Sequence, residues 1–428
     1  MFYLLLGGNH MGFHSKKKMQ GIQRKIANNL HTNDGLIHRV KTRDPQAAGL
    51  MRYIQTYAYC PPCENTATKY YALGELAFAD MKAELRRAKH YIFLEYFIIE
   101  HGTMWDEILA ILREKVAEGV DVRVIYDDLG CVMTLPYRYD LELEAMGIRC
   151  CVFNPFLPVL NSHFNHRDHR KILCIDGQYA YTGGINVADE YAGFIRRFGE
   201  WKDSGILLDG PGAWGLTAQF IHMWEMLSCH VHNEHDYYHP LESRPGGGWC
   251  QPFADGPINN PDNPAEDVFL QCIANARDYI WLTTPYFAVE DGVVRVLCVA
   301  ADSGVDVRLM LPGIPDHKYT QIVAGSYYEK LIAHGVKVYE FTPGFLHAKC
   351  YVSDDRVAAV GSINMDYRSL FLHFECGTLL FHNSQIAALR KDVERTLPQC
   401  REIMRSDCRT NLPGTALDSV LRLLSPLM

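Results

Sequence analysis

Two short runs of the chain carry the same set of reactive side chains. His169 and Lys171 stand two apart and are followed by Asp176, then by Gly183, Gly184 and Asn186. His347 and Lys349 repeat the spacing and are followed by Asp354, then by Gly361, Ser362 and Asn364. An imidazole, an ammonium and an amide, each supplied twice, suit displacement at the phosphorus of a diester. A neutral imidazole attacks phosphorus and holds it as a phosphohistidine. A second, protonated imidazole donates to the departing oxygen. Two lysines bring fixed positive charge to the non-bridging oxygens. Asn186, Asn364 and the small-residue turns at Gly184 and Ser362 add hydrogen-bond donors near the phosphate. In this scheme the lysines stand in for a metal, so neither a metal nor a cofactor is expected.

Each imidazole needs a partner on its other nitrogen to fix the tautomer. Asp203 follows His169 by 34 residues and Glu375 follows His347 by 28. They occupy comparable places, and each is the candidate partner for the histidine of its own half.

The elements that must position these groups are repeated as well. Ala88 to Leu94 is echoed by Ala276 to Leu282, Gly119 to Arg123 by Gly304 to Arg308, and Gly147 to Arg149 by Gly335 to Lys337, at offsets of 188, 185 and 188 residues. The two histidines are 178 apart. Order is kept and spacing drifts little, over a period too long for a solenoid. The pattern implies two globular halves about a pseudo-twofold axis with one active site between them. In the first half, hydrophobic periodicity gives a helix over 75–90, a strand at Tyr91 to Ile99, a helix at Trp105 to Glu118, a strand at Val120 to Tyr126, a short helix ending at Gly147, and a strand at Ile148 to Phe153. The same series restarts at Ala265. Alternation of strand and helix predicts an α/β fold, each half a mostly parallel or mixed sheet flanked by helices. Each histidine and lysine falls at the start of the next strand, on one face of it.

The stretch from Arg244 to Pro264 breaks the periodicity, so the halves are expected at 65–245 and 246–428. Residues 1–64 read as polar, basic and irregular, with a helix near Met19 to Asn29. Phe2 to Leu6 is too short an apolar run to span a bilayer, which takes about 20 residues, and Lys16 to Lys18 follow it as a membrane-proximal basic patch.

The 428 residues carry a formal charge of −8, which argues against a nucleic-acid partner. Fourteen cysteines are scattered without a secretory signal, as in a reduced cytosolic setting. Cys60 and Cys63 form a C-x-x-C with no second pair at zinc-site spacing. His230, His232, His235 and His239 lie among polar residues and read as a solvated loop. Phe153, Phe156, Leu157, Val159 and Leu160 precede the first motif, Phe345 and Leu346 the second, and Leu370 to Leu372 follow it. Apolar residues at the mouth of a phosphate site suit acyl chains.

The doubled motif, with the runs Asn165 to Ile172, Tyr181 to Asn186, Asn364 to Leu370 and Ser425 to Met428, resembles the bacterial cardiolipin synthases of the phospholipase D superfamily over about residues 50–428. Glu95 to Phe97 and Tyr126 to Asp128 share in the resemblance. It implies two phospholipase D-like domains and a transfer of the phosphatidyl group of one phosphatidylglycerol to another, releasing glycerol. It also implies that His169 is the nucleophile and His347 the acid, on the cytoplasmic side of an anionic bacterial membrane. Such synthases usually begin with two membrane-spanning helices. Here they are missing, and Tyr3 to Gly8 resembles the end of the second, so a truncated or peripheral protein is expected. A hydrolytic phospholipase D or a nuclease of the same superfamily would use the same residues.

Overall fold

A computed structural model describes residues 32–155, 165–228, 241–258 and 262–408, together with 17, 18, 21 and 237. The expected helix at Met19 to Asn29 apart from Gly21, the apolar N-terminal run, Phe156 to Leu160 and the four histidines from His230 to His239 lie outside the described residues.

The series of strands and helices forms as the periodicity requires. The first sheet runs, edge to edge, Ala67–Tyr71, Gly205–Asp209, Tyr179–Gly183, Lys171–Ile175, Tyr91–Tyr96, Asp121–Asp127, Arg149–Phe153. The second runs Trp249–Asp255, Glu375–Phe381, Val357–Gly361, Cys350–Ser353, Tyr279–Thr283, Asp306–Pro312, Lys337–Phe341, with Cys400–Ile403 added at its far edge. Strand for strand the order is the same, which is the duplication written in topology. Only the last three strands of the common set are mutually parallel; the others pair antiparallel. The helix-linked part of each half is therefore parallel, and the part around the motif is antiparallel, with one tight hairpin directly after the motif strand. The sheets are mixed because the turn after each motif strand is too short for a crossover.

The two sheets face one another. A shared core joins Phe93, Ile172, Cys174 and Leu208 of the first to Trp281, Val352, Val360 and Leu380 of the second. The helices Ala213–Ser228 and Ile386–Thr396 contribute Phe220, Trp224, Leu389 and Val393 to it. The outer faces are covered separately, the first sheet by Gly74–Leu85 and Thr103–Ala117 and the second by Pro264–Ala274, Asp291–Asp302 and Lys318–Ala333.

The reading of 1–64 as irregular is corrected by two helices, Asp34–Arg43 and Pro45–Tyr57. Asn33 caps the first by accepting from the Leu36 N–H, and Asp44 caps the second by accepting from the Ala47 N–H, with Pro45 opening it. Leu36, Ile37, Val40, Leu50, Met51 and Ile54 are buried in the outer core of the second half. Their apolar faces are short and interrupted by the Asp44 cap, which hides the 3.6-residue period from sequence.

Cys60 and Cys63 lie beside the second sheet, where backbone groups of Cys63 pair with Cys250. Burial pushes the Cys60 thiol up to about 11 and that of Cys63 well above its ordinary value, which disfavours the thiolate form of both.

Candidate active site

Each motif begins a strand that lies antiparallel to the first parallel strand of its half. Lys171 pairs with Tyr96, and Cys350 pairs with Thr283. This register sets each histidine and lysine at the edge where the parallel strands end, the usual site of ligands in open α/β sheets. His169, Lys171, His347 and Lys349 are all buried.

The halves are stitched together at these residues. The His169 N–H donates to Phe374 O at 2.9 Å, and the Phe374 N–H to Arg167 O at 2.8 Å. In the other half the His347 N–H donates to Lys202 O at 2.7 Å, where Gly344–Leu346 pairs in parallel with Glu200–Lys202. Buried charge braces the first motif from below: Arg170 pairs with Glu95 and Asp168, and Arg167 with Asp127.

As a result the carboxylates cross over. His169 Nδ1 lies 2.9 Å from Glu375 Oε1, and His347 Nδ1 lies 2.6 Å from Asp203 Oδ2. The expected pairing within each half is corrected: the strand bearing each carboxylate leans across the seam and serves the opposite histidine. Glu375 also accepts from the hydroxyls of Ser362 and Ser369. The Ser369 oxygen takes the Asn364 N–H at 2.8 Å, which turns its proton toward the carboxylate. Burial pushes the Glu375 carboxyl up, while Lys171 and the two hydroxyls pull it down.

Burial, followed by Lys171, His373, Lys349 and His347, holds the His169 imidazole well below its ordinary range. Burial and Lys349 push His347 down to about 4, against the opposing pull of Asp203. Each ring thus feels the lysine of the other motif. Burial lowers Lys171 to about 8 and Lys349 to about 7. Each ammonium donates to the backbone carbonyl of its own histidine. Two neutral imidazoles with Nδ1–H given to carboxylates leave both Nε2 lone pairs available for chemistry.

The small-residue turns serve the carboxylates rather than a phosphate. A side chain at Gly184 would place its Cβ 2.1 Å from Asp203 Oδ1, so only glycine lets that carboxylate reach His347. The equivalent Ser362 spends its hydroxyl on Glu375. Asn186 is likewise committed: its carbonyl accepts from the Ile98 N–H and its amide donates to the Tyr191 hydroxyl. Asn364 shows a buried side-chain oxygen without a hydrogen-bond partner.

Asp176 and Asp354 do not enter the cleft. Both follow the far end of the motif strand. Asp176 accepts the backbone N–H groups of Lys89, His90 and Tyr91 at 2.8, 2.8 and 2.9 Å. Asp354 does the same with Arg277, Asp278 and Tyr279 at 2.9, 3.0 and 2.9 Å. Their placement among the reactive groups is therefore corrected: each clamps the start of the neighbouring strand.

Several cleft residues carry no repeated signal in sequence. His373 stands two before Glu375, its ring 5.7 Å from that of His169, and neither nitrogen has a hydrogen-bond partner. His169, His373 and Glu375 offer three ligand atoms within 4.8 Å of one another, a grouping that could take a metal ion. Aromatic rings wall the site: Phe97 lies 5.0 Å from His169, and Trp201, Tyr191 and Phe345 lie 5.4, 5.4 and 5.5 Å from His347.

A duplicated mixed sheet with a histidine–lysine pair from each copy meeting at the seam defines a phospholipase D-like protein. Residues 81–195 and 269–397 match the family model described as cardiolipin synthase, PLD-like domain. The chain is 33% identical over 435 residues to a cardiolipin synthase of Halalkalibacterium halodurans, covering all of this chain and 86% of that one. An uncharacterized protein of Streptococcus mutans is 39% identical over 394 residues, 92% of this chain and 85% of its own. The phosphatidylserine synthase structure from Haemophilus influenzae superposes with a TM-score of 0.67 at 13% identity, over 89% of this chain and 100% of that one, and so shares the fold. The chain belongs to the cardiolipin synthase family of phospholipase D-like proteins. No helix of the described residues is long and apolar enough to cross a membrane.

Proposed function

We propose that the protein joins two phosphatidylglycerol molecules into cardiolipin, with glycerol as the other product. His169 attacks the phosphorus of the first lipid through Nε2. The bond to the glycerol oxygen breaks, and that oxygen takes a proton from His347. The second phosphatidylglycerol then gives its hydroxyl proton back to His347 and attacks the phosphohistidine, releasing His169. Lys171 and Lys349 hold the non-bridging oxygens throughout. A diester anion between the rings reverses the effect of the lysines on the imidazoles and favours the charged form of the acid.

The observation that carries this reading is the crossed pairing of His169 with Glu375 and His347 with Asp203, which turns two distant motifs into one doubly based, doubly cationic cleft. Family membership and the relative named cardiolipin synthase supply the lipid substrate. Incubation with labelled phosphatidylglycerol in mixed micelles is expected to give cardiolipin and glycerol in equal amounts. Phosphatidic acid with glycerol instead identifies a hydrolase. In His347→Ala, mass spectrometry is expected to find a phosphatidyl adduct on His169; an adduct on residue 347 of His169→Ala reverses the two roles.

A further inference from the structure

The strands Asp121–Asp127 and Asp306–Pro312 hold equivalent places in the two sheets. Both end at the cleft, and both run into a segment that exposes apolar side chains. In the first half these are Leu129, Val132, Met133 and Tyr137, with Met133 91% and Tyr137 94% exposed. In the second they are Ile314, Tyr319 and Ile322. The 185-residue offset that relates Gly119 to Gly304 also relates Leu129 to Ile314 and Tyr137 to Ile322. The apolar exposure is thus repeated by the pseudo-twofold.

A third segment completes the rim. Phe194, Ile195 and Phe198 are exposed, and Arg196 and Arg197 are exposed between them. All three segments adjoin the reactive rings. Phe198 lies 6.3 Å from Phe345, which neighbours His347. Gly199 packs so close to Ile314 that an added Cβ would come within 3.2 Å of its Cδ1. Gly130 abuts the backbone of Phe97, whose ring faces His169.

We propose that this rim is the surface on which the protein sits on an anionic phospholipid bilayer. Large apolar side chains gathered at one edge of a soluble fold mark an interaction surface. Aromatic and aliphatic tips set among basic residues match the headgroup boundary. Arg196 and Lys318 are the basic residues of this rim that anionic lipid attracts. Asp140 is paired with Arg138, and Glu100 and Glu190 with Arg197; Glu200, Asp128 and Asp316, which takes the Tyr286 hydroxyl, are the acids beside them. Lying on this rim, the protein would face its cleft to the headgroups, so that a lipid enters the site without leaving the bilayer. The choice of occupant rests on the phosphatidyl-transfer reading; the patch does not.

The test uses the full chain and vesicles of dioleoylphosphatidylglycerol and dioleoylphosphatidylcholine in equal parts. Wild type is expected to float with these vesicles, more weakly at high salt and more weakly with phosphatidylcholine alone. The pair Met133→Asp with Tyr137→Asp, and separately Ile195→Asp, are each expected to weaken flotation about tenfold or more, since each sets a charge into the apolar boundary. Turnover of monomeric dihexanoylphosphatidylglycerol should stay within about twofold of wild type in both, which reports an intact fold and site. Variants that float like wild type overturn the proposal. So does loss of a dimer in light scattering with unchanged flotation, which assigns the patch to a second copy. If wild type floats and neither form of phosphatidylglycerol is turned over, the reaction reading fails and the docking surface stands.

Discussion

The imidazole of His169 is held by the carboxylate of Glu375, 206 residues further along the chain and in the other half, at 2.9 Å. The mirror pair, His347 with Asp203, crosses the seam in the opposite direction at 2.6 Å. Neither half therefore owns a complete acid–base unit. The shared core between the sheets is what holds the pairs in register.

Replacing Glu375 by glutamine keeps the shape and removes the charge. The Nδ1–H of His169 then meets an amide whose N–H₂ competes for the same place, and the ring can turn its lone pair inward. We expect kcat to fall by about 10³–10⁴, the scale seen when a histidine's orienting carboxylate is made an amide, with KM changed far less. Steady-state kinetics on monomeric phosphatidylglycerol checks this. A variant within tenfold of wild type would show that the crossed carboxylate is dispensable.

Gly184 tests the other pair from a distance. Alanine there sets its Cβ against Asp203 Oδ1, so the carboxylate must leave His347. The expected result is a loss of about 10²–10³ in kcat, in the range general acid–base catalysis supplies, with folding intact by circular dichroism. Ser362→Ala at the equivalent position only deletes one of two hydroxyls on Glu375 and should cost about tenfold or less, near 1 kcal/mol. Equal losses from the two would contradict the unequal crowding.

Much of this was legible in sequence, and the failures have physical causes. The strand–helix series was readable because alternating and 3.6-residue periods are strong where one face is buried, as in Thr103–Ala117 and Asp291–Asp302. The doubled His–Lys spacing revealed the cleft. The crossing of the carboxylates was not readable, because spacing along the chain places Asp203 and Glu375 in their own halves and only the docking of the sheets exchanges them. Asp176 and Asp354 share the motif's regularity yet serve the backbone, since a repeat preserves structural clamps as faithfully as reactive groups. His373 has no counterpart imidazole in the first copy, where the equivalent place is taken by Trp201, so no repeat pointed to it.

The depressed lysines predict the alkaline limb of the pH profile. An ammonium is charged below its pKa, and burial brings Lys349 to about 7 and Lys171 to about 8. Affinity for the anionic diester should therefore decline as pH rises through this window, rather than above 10 as for ordinary lysines. His169, held well below its usual range by burial and then by Lys171, favours the neutral form that a nucleophile needs. We expect kcat/KM for a monomeric substrate to decline already as pH rises past the His347 value of about 4, since that ring must carry a proton, and to fall by about a further tenfold for each unit of pH once a lysine has lost its own. Lys349→Arg should move that limb upward, because a guanidinium stays charged. A profile flat from pH 6 to 9 would contradict a lysine-held phosphate.

Asp176 and Asp354 make the opposite prediction, a loss of stability with little loss of chemistry. Each gathers three backbone N–H groups at the start of the strand beside its motif. Each adopts a left-handed backbone, φ 53° at Asp176 and 52° at Asp354, which Asp and Asn tolerate better than most residues. Alanine at either position strands those donors and meets the unfavourable φ, at a cost of about 2–3 kcal/mol, the range for leaving hydrogen-bonding groups unmatched. Asparagine keeps one acceptor oxygen and the backbone preference and should lose about half as much. Thermal unfolding should rank wild type above Asp176→Asn above Asp176→Ala. Turnover per folded molecule, measured well below each midpoint, should stay within about threefold, since no group that touches the phosphate has changed. A kcat lowered a hundredfold at unaltered stability would move Asp176 from the clamp into the chemistry.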